Sequence, residues 1–472
     1  MSGRVLPSIH DIMVRRMSPP ASKTQAPVAE TGARQPSLAY AWYVVWALTA
    51  IYMLSYMDRQ ILSLLVGPLK RDLAISDTRV GLLQGLAFGL FYTFMGLPLG
   101  RIADRRSRRG LIALGIVFWS LFTSLSSVAR SFWSLFLARM GVGVGEASLS
   151  PAAYSLIADY FPAERLGVAI SVYYMGVFFG SSLSLVVTGI IVDLVAHTPT
   201  VAVPWLGTMA AWRITFLFVG VPGVLFALLA YTIREPVRRE LLRSRDGRIQ
   251  QLSFSESLVA MGRRRQSLVG ISIGAIFQAV PTYALISWTP TYFQRLHHWT
   301  PGQSGRGLAL LLLIFGCTGM YAGGWLSDHW QKHGVLEAPL RVGVVSAFGT
   351  ALMLPAAYLL PSANSALWLM APGIFFLALP MGTSAAALQR IFPNQVRGQV
   401  SALFLFLLNL GGLTLGPLMP GLLNDRLFHS EKMLGSSLAI TIGFAAVLML
   451  LAFRATYRFY RTHSSMLLAT VE

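Results

Sequence analysis

The sequence predicts an all-α membrane protein of twelve transmembrane helices, arranged as two six-helix bundles related by pseudo-symmetry. Three observations support this fold class: an apolar composition, twelve apolar windows of membrane-spanning length, and a charged motif that occurs once in each half. Hydrophobic residues make up 54% of the 472 positions and charged residues only 12%, whereas soluble domains carry about 25% charged residues. Lipid is therefore the expected surrounding of most of the chain.

Apolar windows of about 20 residues are long enough to cross about 30 Å of hydrocarbon. Backbone groups find no water partner inside a bilayer, so windows of this length should be helices. Numbered as spans 1 to 12, they cover residues 41–66, 80–100, 110–129, 132–157, 166–192, 213–233, 267–291, 306–326, 341–360, 366–388, 399–422 and 434–456.

Two polar hairpins indicate that the second half repeats the first. The segment 100–109, Gly-Arg-Ile-Ala-Asp-Arg-Arg-Ser-Arg-Arg, follows span 2, and 324–332, Gly-Trp-Leu-Ser-Asp-His-Trp-Gln-Lys, follows span 8. Each places a glycine four residues before an aspartate and continues with basic residues. A weaker repeat, Phe161-Pro162 and Phe392-Pro393, follows spans 4 and 10. Parallel six-span repeats that meet at a midplane cavity are typical of carriers.

The longest polar stretch separates the two sets of six spans and defines the predicted domains. The first 38 residues are rich in Pro, Ser, Ala and Arg and lack the apolar core of a signal peptide, so we expect disorder there. The predicted segments are a disordered cytoplasmic tail at 1–38, an N-terminal bundle at 39–234, a basic cytoplasmic linker at 235–265, a C-terminal bundle at 266–458 and a cytoplasmic tail at 459–472.

The net charge of +19 is concentrated on one side of the predicted bundle. Arginines crowd both tails, the loop after span 2 and the middle linker, which share a side when the span count is even. This bias predicts cytoplasmic termini, and the short loops resemble those of bacterial inner-membrane carriers. No aromatic residues interleave with the basic runs, so nucleic-acid binding is not expected. A single cysteine, Cys317, excludes an internal disulfide, and we expect no metal or cofactor.

Three motifs carry a family resemblance. The hairpin at 100–109 resembles the signature loop of the major facilitator superfamily, in which the Gly and Asp let helices 2 and 11 pack when the carrier faces outward. Residues 56–59, Tyr-Met-Asp-Arg, and 139–148, Arg-Met-Gly-Val-Gly-Val-Gly-Glu-Ala-Ser, are similar to the Spinster branch, which includes lysophospholipid exporters. The first of these also resembles organic-anion symporters. The resemblance implies the major facilitator fold and alternating access.

Charged residues inside three predicted spans are candidates for function, because each costs at least about 2.5–3.5 kcal/mol at the bilayer centre. At about 1.5 Å rise per residue, Asp58 and Arg139 lie at nearly the same depth in spans 1 and 4 and could form an ion pair. Glu146 lies two turns beyond Arg139 on the same face, nearer the midplane. These positions predict one charge cluster between the two spans.

A proton-coupling role is the hypothesis for this cluster. Glu146, facing a central cavity, would take up and release a proton together with Asp58. Arg139, with Arg59 as a second candidate, would hold either acid or an anionic cargo head group. The alternative is a permanent Asp58–Arg139 pair that only fastens the two helices.

Gating residues and cargo contacts are predicted from the remaining motifs. The gating loops comprise Gly100, Asp104, Arg105, Arg109, Gly324 and Asp328. Further cargo contacts are expected at Tyr173, Phe277, Tyr283 and Asn409. Gly176 and Gly180 form a ridge of small residues in span 5 that should pack against span 1. A charged pole in one half and a mostly apolar wall in the other suit an amphiphile.

The function predicted from these features is proton-coupled secondary transport of an amphipathic organic anion or lysolipid. The expected partners are the small-molecule or lipid substrate, protons and membrane lipids, and the expected state is a monomer. A symporter of small organic acids or sugar acids and a transport-inactive membrane sensor are the alternatives. An enzyme is not expected, since no Ser/His/Asp set or phosphate-binding loop is present. Cargo identity, direction and symport versus antiport stay open.

Overall fold

The computed structural model describes residues 37–195, 200–203, 207–236, 261–392 and 394–468. Most of the predicted tail at 1–38, residues 237–260 of the predicted linker and residues 469–472 lie outside these ranges. The first half contains α1 (Leu38–Leu64), α2 (Val66–Leu73), α3 (Asp77–Gln84), α4 (Leu86–Arg105), α5 (Arg108–Ser126), α6 (Phe132–Glu146), α7 (Leu149–Tyr160), α8 (Ala163–Val195), the strands β1 (Thr200–Val203) and β2 (Gly207–Ala210), and α9 (Ala211–Thr232).

The second half contains the remaining elements. They are α10 (Arg265–His297), α11 (Pro301–Leu311), a π-helical turn (Leu312–Gly316), α12 (Cys317–Lys332), α13 (Ala338–Leu359), α14 (Ala363–Ala378), α15 (Thr383–Ile391), α16 (Asn394–Leu423), a second π-helical turn (Asn424–Phe428), a 3₁₀ turn (Glu431–Met433) and α17 (Leu434–Leu468).

Eleven helical segments of the described chain are long and apolar enough to cross a membrane. The remaining predicted window, 132–157, is covered by α6 and α7, of 15 and 12 residues, which are separated at Ala147 and Ser148. The predicted all-α membrane fold is confirmed. The described chain also contains a small antiparallel pair of strands, β1 and β2, in which Thr200 lies opposite Ala210.

Local sequence explains where several helices begin. Ser131 and Thr300 start capping boxes at α6 and α11, and Pro301 occupies the first turn of α11. The Ser107 hydroxyl accepts a hydrogen bond from the Gly110 N–H at the start of α5. These side chains satisfy backbone donors that the first helical turn leaves free.

Polar contacts between the two halves of the described chain are concentrated on one side. We call the side of Arg101 and Arg109 the basic side, and the side of Asp77 and Arg295 the opposite side. Near the opposite side, one apolar core combines first-half residues such as Leu64 with second-half residues such as Trp288. The hydrogen bonds and ion pairs found between the halves in the described chain lie on that side or at mid-depth. Within the described chain, the polar contacts that join the halves therefore lie away from the basic side.

Glycine residues permit close contacts between helices of the two halves and within the first half. A Cβ atom at Gly81 would lie 2.5 Å from the Pro417 carbonyl oxygen, and one at Gly89 would lie 2.9 Å from the Leu413 Cβ. These two glycines join α3 and α4 to α16 of the other half. The predicted packing of span 5 on span 1 is confirmed, since a Cβ at Gly180 would lie 2.7 Å from the Met53 carbonyl oxygen.

Candidate functional site

A buried ion pair joins α1 to α6 near the middle of the first half. Arg59 Nε lies 2.7 Å from Glu146 Oε2, and the Ser55 hydroxyl donates to the same oxygen at 2.5 Å. The side chain of Glu146 is 0% exposed and that of Arg59 is 9% exposed. A buried carboxylate persists in its charged form when it is paired and hydrogen-bonded, and Arg59 and Ser55 meet that need from adjacent turns of one helix.

Three aromatic rings surround the Arg59 guanidinium. Its central carbon lies 4.6–4.7 Å from the ring centroids of Tyr56, Phe88 and Tyr92, within the range of cation–π attraction. Its two terminal nitrogens donate no hydrogen bond to any residue that the structure describes. An arginine fixed by its Nε and by rings keeps these two donors available to an anion.

Asp58 and Arg139 meet, but not as the predicted side-chain ion pair. Arg139 Nη1 donates instead to the backbone carbonyl oxygen of Asp58, at 3.1 Å. Both side chains are buried, and the Asp58 carboxylate accepts no hydrogen bond of normal geometry from the described residues. Counting residues along a helix gives the depth of a side chain but not its rotation about the helix axis, which explains the difference.

Glu146 is not exposed to a central cavity, contrary to prediction. Its side chain is fully buried, and Arg59 is the member of the pair that retains exposed surface. A carboxylate in apolar surroundings is strongly stabilised by a nearby cation, so the arginine closes over the acid.

The predicted cargo contacts have different surroundings. Tyr173 is fully buried and stacks on Tyr52 with 4.5 Å between ring centroids, so it cannot contact cargo in this conformation. Its neighbour Tyr174 is 38% exposed, because adjacent residues lie about 100° apart around a helix. Tyr283 and Phe277 are partly buried, against the first-half and second-half cores respectively. Asn409 on α16 is also partly buried.

The first hairpin, at 100–109, is anchored by Arg108, which is not among the predicted site residues. Arg108 is fully buried, and its Nε lies 2.7 Å from Glu235 Oε1. Its Nη1 binds Ser155 at 2.9 Å and the Asp159 carboxylate. The sequence feature that could have indicated this contact is Glu235, an acidic residue among the arginines that follow span 6. Arg108 thus ties the start of α5 to the ends of α7 and α9.

Electrostatics keep Glu235 charged in this cluster. Burial alone would raise the pKa of Glu235, but hydrogen bonds from Arg108 and from the backbone N–H of Arg109, at 3.1 Å, hold that pKa below its ordinary value. Of the other predicted residues in this hairpin, Arg105 is exposed. A Cβ atom built on Gly100 would lie 3.8 Å from the Pro151 Cβ. The side chain of Asp104 lies outside the described part of the structure.

The second hairpin is looser than the first. Asp328 is 68% exposed and lies 3.7 Å from Arg390, and a Cβ built on Gly324 would meet no atom within 4 Å. The repeat seen in the sequence therefore has unequal halves in the structure. Only the first hairpin carries a buried network of ion pairs among the described residues.

Comparison with known proteins identifies the family. The family model of the Major Facilitator Superfamily matches residues 48–417. An MFS-type efflux pump of Mycolicibacterium smegmatis is 28% identical, over 82% of this chain and 85% of that protein. A hexuronate transporter of Bacillus subtilis is 25% identical, over 84% of this chain and 91% of that protein.

A solved structure gives the same result for the fold. The crystal structure of a bacterial homologue of the human lysosomal transporter Spinster, inward-facing and unoccupied, superimposes with a TM-score of 0.74 at 26% identity, over 92% of this chain and 99% of that one. The helical membrane fold, the two hairpins and these matches agree. The chain is a multi-pass membrane transporter that belongs to the Major Facilitator Superfamily and resembles its Spinster branch.

Proposed function

We propose that this transporter carries amphipathic organic anions, lysolipids among them, by proton-coupled secondary active transport. The observation that supports this most is the Arg59–Glu146 pair. One nitrogen of the arginine is held by a buried acid, while two others remain available to a negatively charged head group. One cation is thereby shared between a titratable group and the cargo.

The proposed coupling follows from competition for Arg59. A phosphate or carboxylate on the two terminal nitrogens draws the guanidinium away from Glu146, which is 0% exposed. A buried carboxylate without its counter-charge is strongly unfavourable, so Glu146 takes up a proton as the cargo binds. When the cargo leaves, Arg59 returns and the proton is released.

Asp58 and Arg139 complete the proposed cluster. Asp58 is buried and its carboxylate receives no hydrogen bond from the described residues, so we assign it as a second proton carrier. Arg139 is held at the Asp58 carbonyl oxygen and supplies a fixed positive charge. The gating role of Gly100, Asp104, Arg105, Arg109, Gly324 and Asp328 is part of the same proposal, with Arg108 as the residue that anchors the first hairpin.

The second-half wall favours an amphiphile over a sugar. Gln278 donates to the Leu377 carbonyl oxygen at 3.3 Å, and Thr282 donates to the Gln278 carbonyl oxygen at 3.1 Å. Both side chains are therefore occupied within the fold. Tyr283 and Asn409 remain as polar contacts, which is few for a cargo with many hydroxyl groups.

A symporter of sugar acids is the second candidate, because the hexuronate transporter of Bacillus subtilis is a relative over most of the chain. Its carboxylate cargo would bind Arg59 in the same way. The two candidates differ in the rest of the cargo, which is an acyl chain in one and a ring of hydroxyl groups in the other.

Purified protein in liposomes with an imposed pH step tests the proposal. We expect lysophosphatidylglycerol to move with the proton gradient, glucuronate to move at least about tenfold more slowly, and Glu146→Gln to lose the pH-driven component. Asp72→Asn, which removes a carboxylate paired with Arg213 away from the cluster, should transport normally. Unchanged pH-driven flux in Glu146→Gln would refute the coupling, and flux of glucuronate alone would assign the second candidate.

We also propose that the basic side faces the cytoplasm of a bacterial inner membrane and that the protein works as a monomer. The charge bias of the loops supports the orientation. Labelling of single cysteines at Arg105 and Arg426 from either side of a cell membrane distinguishes the two orientations.

A further inference from the structure

We propose that a cleft between α13 and α17, on the basic side, binds the phosphate of an anionic phospholipid. The cleft has a volume of about 390 Å³ and is lined by Glu337, Arg341, Arg454, Tyr457, Arg458 and Arg461. It lies in the second half and shares no residue with the Arg59–Glu146 cluster. The proposed lipid is a partner that stays bound to the transporter and is distinct from the cargo.

The cleft carries four guanidinium groups and one carboxylate. Glu337 holds two of the arginines: its Oε1 lies 2.8 Å from Arg341 Nη2, and its Oε2 lies 2.7 Å from Arg461 Nε. These hydrogen bonds, Arg461 first, lower the pKa of Glu337 to about 2. Glu337 is therefore ionised at all physiological pH values and fixes the two guanidinium groups in place.

Two arginines of the cleft remain without an acidic partner. Arg454 and Arg458 form no ion pair with any residue in the described ranges, and Arg454 stacks on Tyr457 at 5.1 Å. The cleft therefore has three more positive than negative charges. Planar guanidinium groups bind phosphate oxygens through paired N–H donors, so the chemistry of the cleft selects a phosphate.

Apolar stripes extend from the cleft along both helices and indicate a lipid rather than a free ion. On α13, residues four, seven and eleven positions after Arg341 are exposed; they are Val345, Phe348 and Leu352, at 36%, 66% and 56%. On α17, residues seven, eleven and fourteen positions before Arg458 are exposed; they are Leu451, Val447 and Phe444, at 56%, 49% and 65%. Residues at such spacings share one helix face. Acyl chains would lie along these stripes while the phosphate occupies the cleft.

Native mass spectrometry of the full-length transporter, with defined lipids added in detergent, tests this site. We expect the wild type to retain one phosphatidylglycerol molecule and to retain phosphatidylcholine at least about tenfold more weakly. The double variant Arg454→Gln/Arg458→Gln should lose this retention at least about tenfold, since neither arginine holds Glu337. The variant Arg454→Lys/Arg458→Lys keeps the charge and should retain most of the binding.

A matched control removes two other arginines of the basic side. Arg101 and Arg165 are exposed, and Arg101→Gln/Arg165→Gln should retain phosphatidylglycerol as the wild type does. Equal retention by the Arg454→Gln/Arg458→Gln variant, or equal loss in the control, would overturn the site. Complete displacement of the lipid by millimolar inorganic phosphate would show a free-ion site and would overturn the lipid assignment.

Discussion

Asp77 of the first half and Arg295 of the second form a bidentate ion pair, with Arg295 Nη1 at 2.7 Å from Oδ2 and Nη2 at 2.8 Å from Oδ1. Asn424, also from the second half, donates to Oδ2 at 2.9 Å, and Lys70 lies 2.6 Å from Oδ1. The Asp77 side chain is 0% exposed. This carboxylate is thus the centre of the contact that closes the opposite side, and the contact must break when that side opens.

The substitution Asp77→Asn should shift the transporter toward opening on the opposite side. Removing one partner of a buried pair leaves unpaired charge at a cost of about 3–5 kcal/mol, and here the cost falls on the closed arrangement. Spin labels attached at Arg71→Cys and Leu427→Cys, in a Cys317→Ser background, allow the distance between the two halves to be measured by double electron–electron resonance. We expect a population at longer distance.

The control for this experiment is Arg213→Gln, which breaks the pair with Asp72 on the same side, where Arg213 Nη2 lies 2.8 Å from Asp72 Oδ2. Both of these residues belong to the first half, so the distance distribution should not change. An unchanged distribution in Asp77→Asn as well would contradict the assignment of Asp77 as the closing contact.

The substitution Arg59→Lys should lower the affinity for an anionic cargo by about tenfold or more, with the fold retained. Lysine preserves the charge beside Glu146 but has no planar fork of donors, so one ammonium group would have to serve both the acid and the cargo. Titration of lysophosphatidylglycerol in detergent, followed by tryptophan fluorescence, measures this change. Arg139→Lys should change the affinity much less, because Arg139 contacts a backbone carbonyl. Equal affinities of wild type and Arg59→Lys would argue against the proposed site.

Acid should destabilise the first half through Glu235. The pKa of Glu235 is lowered in the folded state, so its contribution to stability is present above the ordinary value of 4.5 and is lost as pH falls through the folded pKa. We expect the melting temperature to fall below about pH 4.5 in the wild type and to depend less on pH in Glu235→Gln. At neutral pH, Glu235→Gln should cost about 1–3 kcal/mol and Arg108→Ala about 3–5 kcal/mol. A pH profile identical in the wild type and Glu235→Gln would exclude this source of acid sensitivity.

Two glycine-to-alanine substitutions should have different effects. A Cβ at Gly180 would lie 2.7 Å from the Met53 carbonyl oxygen within the first half. Gly180→Ala should therefore overpack this contact, reduce the free energy of unfolding by about 1–3 kcal/mol and lower the melting temperature. Gly81 faces Pro417 of the other half, with 2.5 Å from a Cβ to the carbonyl oxygen. Gly81→Ala should therefore favour opening on the opposite side, with a smaller loss of thermal stability. Equal loss of stability in both variants would contradict this distinction.

Hydropathy and the internal repeat predicted most of the fold, because a span crossing lipid must be both apolar and helical. Helix geometry gave a prediction for the depths of Asp58, Arg139 and Glu146 in the bundle. Rotation about the helix axis could not be predicted in this way, and it decides that Arg59 rather than Arg139 binds Glu146. For the same reason, Tyr173 was predicted as a cargo contact although it is buried, and its neighbour Tyr174 is the exposed residue.

Partners from distant segments were also missed. Arg108 meets Glu235 from 127 positions away, and nothing local in either segment distinguishes that arginine from its neighbours. Ser55, in contrast, lies four residues before Arg59 and therefore on the same helix face. It could have been selected as the hydroxyl partner of a buried charge.

The break between α6 and α7 affects how the topology of this protein is counted. Each piece is shorter than a bilayer is thick, at about 22 Å and 18 Å from the rise per residue, so any count of uninterrupted spans gives eleven. An odd number would assign the two ends of the chain to different compartments and invert every loop after the break. A reporter fused at the C-terminus would then be assigned to the wrong side of the membrane. Whether the number of spans is counted as even or odd depends on this single two-residue interruption.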